Sequence, residues 1–225
     1  MEYKIAEKFV SINGEGPKAG ELAIFIRFTK CNLNCSYCDT KWANSFDAPY
    51  EIETEETLVN YIRKENIKNI TITGGEPLLQ KDLKFLIDSI LKIKDIEIEI
   101  ETNGSVDIEK LVNYRRETNG KISFTIDYKS PSSNMEEYMH LNNYNLIDER
   151  DSIKFVVGDR KDLTCGKEVI KRFNLINKCK IYFSPIFNLI KPEEIVRFLI
   201  EENLNDVKLQ LQLHKYIWDP NKKGV

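Results

Sequence analysis

Short runs rich in Ile, Val and Phe recur along this chain, most of them separated by stretches with helical spacing. No other feature limits its folding as much. The runs are 22–29, 69–73, 96–101, 122–126, 153–157, 180–183 and 207–211. Each is short and apolar, as strands buried on both faces tend to be. One helix is expected to begin at Thr54, an N-cap, with Thr57 where a capping box would put Glu. Others are expected over 81–93, 106–116, 163–173 and 191–202, the last with Pro192 in its first turn. Repeated strand-then-helix units imply a parallel sheet with helices over its face, because parallel neighbours need a crossover. Six or seven units are too few to close an eight-fold barrel. The expected fold is α/β: a partial, open TIM-like β/α barrel with a mostly parallel sheet. Its chemistry belongs at the C-terminal strand ends.

The chain has 225 residues, 41% of them hydrophobic, enough for one core and a single domain over 1–225. Its 33 basic and 36 acidic residues leave a net charge of -3, which gives no footprint for a nucleic-acid backbone. The N-terminus lacks the apolar core of a signal peptide, and no stretch approaches the ~20 apolar residues that cross a bilayer. A cytoplasmic protein without a membrane or nucleic-acid partner is expected.

Three of the 5 cysteines lie within one short loop, Cys31-Asn32-Leu33-Asn34-Cys35-Ser36-Tyr37-Cys38. In a reducing compartment this reads as metal ligation rather than a disulfide framework. Three thiolates on a tight loop can hold three corners of a 4Fe-4S cubane, which usually takes four. Cys165 and Cys179 lie far downstream without a partner motif and read as small core residues. The fourth iron is then open to an external ligand. Structural zinc is the competing reading, but it wants a fourth ligand that neither His140 nor His214 supplies at ligand spacing.

With Tyr37 in its aromatic slot, this C-x3-C-x2-C loop resembles the motif of the radical S-adenosylmethionine superfamily. The resemblance implies an iron–sulfur enzyme whose open iron binds S-adenosylmethionine and whose cofactor supplies the radical chemistry. Thr73-Gly74-Gly75-Glu76-Pro77 follows a predicted strand and looks like the superfamily's GGE segment. Paired glycines there would let a ligand approach the backbone closely. Gly75 and Glu76 become cofactor candidates, as do Glu101, at the head of Glu101-Thr102-Asn103-Gly104-Ser105, and the trio Asp127, Tyr128 and Lys129.

The flanks narrow the resemblance. Phe9-Val10-Ser11-Ile12-Asn13-Gly14-Glu15-Gly16, then Phe25-Ile26-Arg27, then the cysteine loop with Asp39-Thr40, is similar to the pattern F-x-S-x-Q-G-E-G, F-x-R, C-x3-C-x2-C-D-T of 7-carboxy-7-deazaguanine synthases. Asp127-Tyr128-Lys129-Ser130-Pro131 and the tail from Gln212-Leu213-His214-Lys215 to Lys223-Gly224-Val225 match as well. That family is a lyase of queuosine and 7-deazapurine biosynthesis. It contracts 6-carboxy-5,6,7,8-tetrahydropterin to 7-carboxy-7-deazaguanine with loss of ammonia. The resemblance implies that Ile12, Asn13, Gly14, Arg27, Thr73 and the Val225 terminus meet the substrate. It implies that Tyr37, Cys38 and Asp39 lie along the cofactor and that Thr40 binds Mg2+. It further implies a flavodoxin or ferredoxin reductant and a homodimer. Arg27 sits in an apolar strand, where a charge is costly unless paired, and its planar fork suits a carboxylate. Asn13 stands where the family usually has Gln, and Asp127-Tyr128 replaces its common Ser-Pro.

Two other readings share the cysteine loop. A glycyl-radical activating enzyme would also carry the GGE segment, but it does not predict Gly14-Glu15-Gly16, Asp39-Thr40 or the tail. An electron-transfer or iron-sensing protein would need no GGE segment.

Overall fold

The computed structural model describes every residue except Phe46, Asn119, Gly120 and Asn221. The strands are β1 (Glu2–Ile12), β2 (Leu22–Phe28), β3 (Glu51–Thr54), β4 (Asn69–Gly74), β5 (Glu97–Thr102), β6 (Ile122–Tyr128), β7 (Ser152–Val157), β8 (Lys180–Pro185) and β9 (Val207–Leu209). They form one open sheet in the order β3-β1-β2-β4-β5-β6-β7-β8-β9. β2 and β4 to β9 are parallel to their neighbours in that series, while β1 runs antiparallel to both β2 and β3. The expected partial barrel is therefore present, with two strands added at one edge that the apolar runs did not reveal. β1 interrupts its apolar residues with Lys4, Glu7 and Lys8, and β3 is only four residues long.

The helices are α1 (Lys41–Asn44), α2 (Glu55–Glu65), α3 (Leu83–Leu91), α4 (Glu109–Thr118), α5 (Asn143–Leu146), α6 (Arg160–Phe173), α7 (Pro192–Glu201) and α8 (His214–Ile217). The capping box at α2 forms with Thr57 in place of Glu: its amide donates to Thr54 Oγ1 at 3.1 Å, and its hydroxyl accepts from the Thr54 amide at 2.9 Å. A hydroxyl closes the same two donors that a carboxylate would.

The strands are not apolar on both faces. They alternate. Ile72, Ile100, Ile126 and Phe155 are fully buried and join Leu58, Leu86, Val112, Ile170 and Phe198 in one core between sheet and helices. One residue along each strand, Thr73, Glu101, Asp127 and Lys154 point to the concave side. Beneath them Thr71, Glu99 and Thr125 are buried on that same side. The expectation of strands buried by hydrocarbon on both sides is corrected accordingly. Both sides are buried, but the concave one is polar.

The segment after β1 joins the first strands to the last. The Gly16 amide donates to Gln210 Oε1 at 2.7 Å and Gln210 Nε2 donates to the Gly16 carbonyl at 2.9 Å. The Leu213 amide donates to the Gly14 carbonyl at 3.0 Å. The Gln210 side-chain amide and one backbone bond thus tie 14–16 to the stretch after β9, and the open sheet is cinched into a cup.

Candidate active site

The mouth of that cup is a cavity of about 580 Å³. Parallel strands bring their C-terminal ends to one rim, so loops far apart in sequence meet there. The cavity is lined by Ile12, Gly14, Arg27, Cys31, Cys35, Tyr37, Cys38, Asp39, Thr40, Thr73, Gly75, Glu101, Asp127, Lys129 and Val225, all nominated above.

Asn13, Glu76 and Tyr128 do not line it. Asn13 is buried with its Oδ1 accepting from the Thr71 hydroxyl at 2.8 Å. Tyr128 is still within β6, not beyond its end, and faces opposite to Asp127. Its ring packs on Tyr144 and Phe155, and its hydroxyl donates to Glu136 at 3.0 Å. Strand alternation alone excludes a neighbouring pair such as Asp127 and Tyr128 from one site. Glu76 is fully buried under the next turn. Its Oε1 accepts from the Thr102 hydroxyl at 2.8 Å and the Leu78 amide at 3.0 Å, and its Oε2 from the Asn103 amide at 2.7 Å. Burial pushes its carboxyl up to about 7 despite these donors.

The glycines of the same segment have a local reason as well. A Cβ on Gly75 would lie 2.0 Å from the Lys30 carbonyl oxygen, and one on Gly74 2.5 Å from that of Phe28. The close approach these glycines permit is made by the chain's own backbone at the entry to the cysteine loop.

The three cysteines are free thiols, and all face the cavity. A cubane gives each thiolate its own iron, so they need not converge on one point. Among the described residues no three His, Cys, Asp or Glu side chains do so. The donors around the sulfurs suit thiolates. Cys31 Sγ accepts from the Leu33 amide at 3.4 Å and from Asn103 Nδ2 at 3.5 Å, and Cys38 Sγ accepts from Asn44 Nδ2 at 3.2 Å. Burial raises the Cys31 and Cys35 thiols, while the Lys129 ammonium opposes the rise at both. Hydrogen-bond donors and a cation around three sulfurs that face one cavity fit a 4Fe-4S cluster.

Opposite the cysteines the concave wall is an alternating row of charge. Lys129 bonds Asp127 Oδ2 at 3.1 Å, and Lys154 bonds Asp127 Oδ1 at 3.2 Å and Glu15 Oε2 at 3.0 Å. Glu15 also accepts from the Ser184 hydroxyl at 2.6 Å and Gln212 at 3.2 Å. Burial alone would lower the Lys154 ammonium, but Asp127, Glu15 and Glu101 hold it well above its ordinary value. Burial likewise works against ionised Glu15, and Lys154 with its hydroxyl and amide donors overcomes it. Glu101 stays raised by burial against the pull of Lys154. Across the cavity Arg27 Nε donates to Glu7 Oε1 at 2.7 Å, a cross-strand pair between β1 and β2. Thr40 precedes α1, but its side chain caps nothing there; its hydroxyl lies 3.6 Å from Cys38 Sγ. The tail closes the mouth through Lys215 on Asp39 at 3.3 Å and Lys223 over the Trp42 ring at 4.0 Å.

Lys154, Glu7 and Asn44 were not nominated from sequence. Lys154 could have been: it interrupts Ile153 and Phe155 as Arg27 interrupts Ile26 and Phe28, and the same cost of an unpaired charge applies. Nothing in the sequence marks Asn44, which reaches Cys38 only because Lys41–Asn44 coils back over the loop.

Comparison with known proteins agrees with this geometry. Residues 25–154 match the model of the radical SAM superfamily. A 7-carboxy-7-deazaguanine synthase of Clostridium acetobutylicum is 51% identical over the whole of both chains. One of Chlorobaculum tepidum is 31% identical over 98% of this chain and 96% of its own. The crystal structure of QueE from Escherichia coli shares the fold, with a TM-score of 0.69 over 94% of each chain at 23% identity. The radical SAM family carries a 4Fe-4S cluster and S-adenosylmethionine, for which the cysteine loop and cavity have the chemistry. By full-length identity and by superfamily match, this chain belongs to the 7-carboxy-7-deazaguanine synthase family of radical SAM enzymes.

Proposed function

We propose that the cavity converts 6-carboxy-5,6,7,8-tetrahydropterin to 7-carboxy-7-deazaguanine with release of ammonia. One observation carries this: the three cysteines share a single cup with a cationic fork, Arg27, and with a row of paired carboxylates and ammoniums. Cys31, Cys35 and Cys38 would hold the cluster, which when bound would supply the electron for reductive cleavage of S-adenosylmethionine.

The chain's own residues do the rest. Arg27, fixed through Nε by Glu7, offers its fork to the pterin carboxylate. Thr73 and the backbone at Ile12 and Gly14 bind the ring from the strand ends. Glu101, raised by burial, can hold or pass a proton to a ring nitrogen, and Lys154 balances the carboxylates around it. Tyr37, Asp39, Gly75, Asp127 and Lys129, which line the same cavity as Val225, are assigned to the cofactor, and the Val225 end to the substrate. The uncapped Thr40 hydroxyl supports Mg2+ there, since magnesium takes hard oxygen ligands and keeps its waters. A flavodoxin or ferredoxin reductant, a homodimer and a cytoplasmic location complete the reading on the family's chemistry. Among the described residues no helix is long and apolar enough to cross a membrane.

The test is anaerobic reconstitution and reduction, then addition of S-adenosylmethionine, magnesium and the carboxytetrahydropterin. The expected products are 7-carboxy-7-deazaguanine and ammonia. Cofactor cleavage without them would remove the substrate assignment. Cys35→Ala is expected to lose the cluster altogether, read as iron content and visible absorbance.

A further inference from the structure

Two asparagines from unrelated parts of the chain aim their side-chain amides at cysteine sulfurs. Asn103 follows β5. Its Oδ1 accepts from both the amide and the hydroxyl of Ser105, at 2.9 and 2.6 Å. Those two donors fix which end of the amide is oxygen, so Nδ2 must face the cysteine loop. There it donates to Asn32 Oδ1 at 3.0 Å and to Cys31 Sγ at 3.5 Å. The Asn103 backbone is held in turn by Glu76 Oε2 at 2.7 Å. Asn44, the last residue of α1, donates Nδ2 to Cys38 Sγ at 3.2 Å, while its Oδ1 is buried without a hydrogen-bond partner. Burying an amide with one end unsatisfied is costly. No backbone need explains the cost, because the bond that Asn44 makes goes to the sulfur.

We propose that Asn44 and Asn103 set the reduction potential of the cluster by donating N–H bonds to its sulfur ligands. The inference rests on Cys31, Cys35 and Cys38 being those ligands. One-electron reduction adds negative charge to the cluster and its sulfurs. A donor on a sulfur stabilises the reduced form more than the oxidised one and raises the potential. The two amides serve different cysteines, so their effects should add. Glu76 is a positioning residue in this scheme, because it holds the Asn103 backbone.

The experiment is a spectroscopically monitored redox titration of the reconstituted protein without S-adenosylmethionine or substrate. Iron and sulfide are quantified alongside. Asn44→Leu and Asn103→Leu keep the branched shape, with somewhat larger ends, and remove the donor. Each is expected to lower the equilibrium constant for reduction about tenfold, about 59 mV for a one-electron couple, and the double variant about a hundredfold. A loaded cluster with unchanged potential in both single variants would overturn the proposal, since a merely structural role lowers iron content without moving the potential of the fraction that remains. If a leucine variant does not load, Asn44→Ala and Asn103→Ala remove the donor without adding charge; an unchanged potential there overturns the proposal equally. Wild-type protein that holds no four-iron cluster would instead sink the cluster assignment itself.

Discussion

The two faces of this sheet are buried by opposite means. Toward the helices, Ile72, Ile100, Ile126 and Phe155 are removed from water by other hydrocarbon. Each such side chain contributes about 1.5–3 kcal/mol of burial. One residue away, Thr73, Glu101, Asp127 and Lys154 are enclosed as well, but among charges. There attraction offsets desolvation and leaves little surplus. The convex face holds the fold together. The concave face holds unlike charges in place at a cost that the convex face covers, and it is where the site lies. Stability and chemistry are separated by a single step along the same strands.

The largest test of that separation is Phe155→Ala. Emptying this position should lower unfolding free energy by about 3–5 kcal/mol in urea titration. Affinity for S-adenosylmethionine in the folded protein should stay near wild type. A large loss of affinity would mean that the faces are not independent.

The next prediction has the opposite sign. Glu99 is 3% exposed on the concave side, accepts from the Thr125 hydroxyl, and has a second oxygen without a partner. Burial, with Glu101 nearby, pushes its carboxyl up to about 7. Between its unfolded value near 4.5 and about 7 the folded chain binds more protons than the unfolded one. Stability attributable to this group therefore falls as pH rises through that window. Glu99→Gln should remove the penalty and stabilise the protein at pH 8 by roughly 2–3 kcal/mol, with little effect at pH 4. Equal stability of variant and wild type across the pH range would show that the polar face carries no such load.

Much of this arrangement could be read in the residues, and the reason differs by region. The cysteine loop, Arg27 and the glycines are visible because each meets a constraint that few residue types satisfy. The seven parallel strands are visible through their Ile, Val and Phe content. The polarity of their other face was equally present in Ile70-Thr71-Ile72-Thr73 and in Glu97-Ile98-Glu99-Ile100-Glu101, but apolar content conceals alternation. β1 escapes because Lys4, Glu7 and Lys8 break up its apolar residues, and β3 because a four-residue edge strand carries charge and needs little length. Asn44 and the tail contacts at Asp39 and Trp42 depend on how short segments fold back, which no local pattern encodes.

Two smaller effects sharpen the comparison. Arg27→Ala, on the concave face and already held by Glu7, should weaken apparent substrate affinity roughly ten- to a hundredfold, the range of a lost charged hydrogen bond. Stability in urea should fall by only about 1–3 kcal/mol, because Glu7 loses its partner. An unchanged affinity would withdraw the carboxylate assignment. Tyr128→Phe should cost only about 1 kcal/mol, for the bond to Glu136. Calorimetric titration of S-adenosylmethionine should be indifferent to it. Weakened cofactor binding would return Tyr128 to the site and undo the division between faces.

The strict period of two has a consequence for how such a chain can change over generations. Gaining or losing one residue inside Ile122–Tyr128 would turn Asp127 into the helix layer and Tyr128 into the cup, spoiling core and catalysis together. Removing two would keep the facing but shift the rim by a full pleat, about 7 Å at the usual rise per residue. Length variation is therefore confined to the connections, and relatives should differ in loop sizes while the strands stay in register residue for residue.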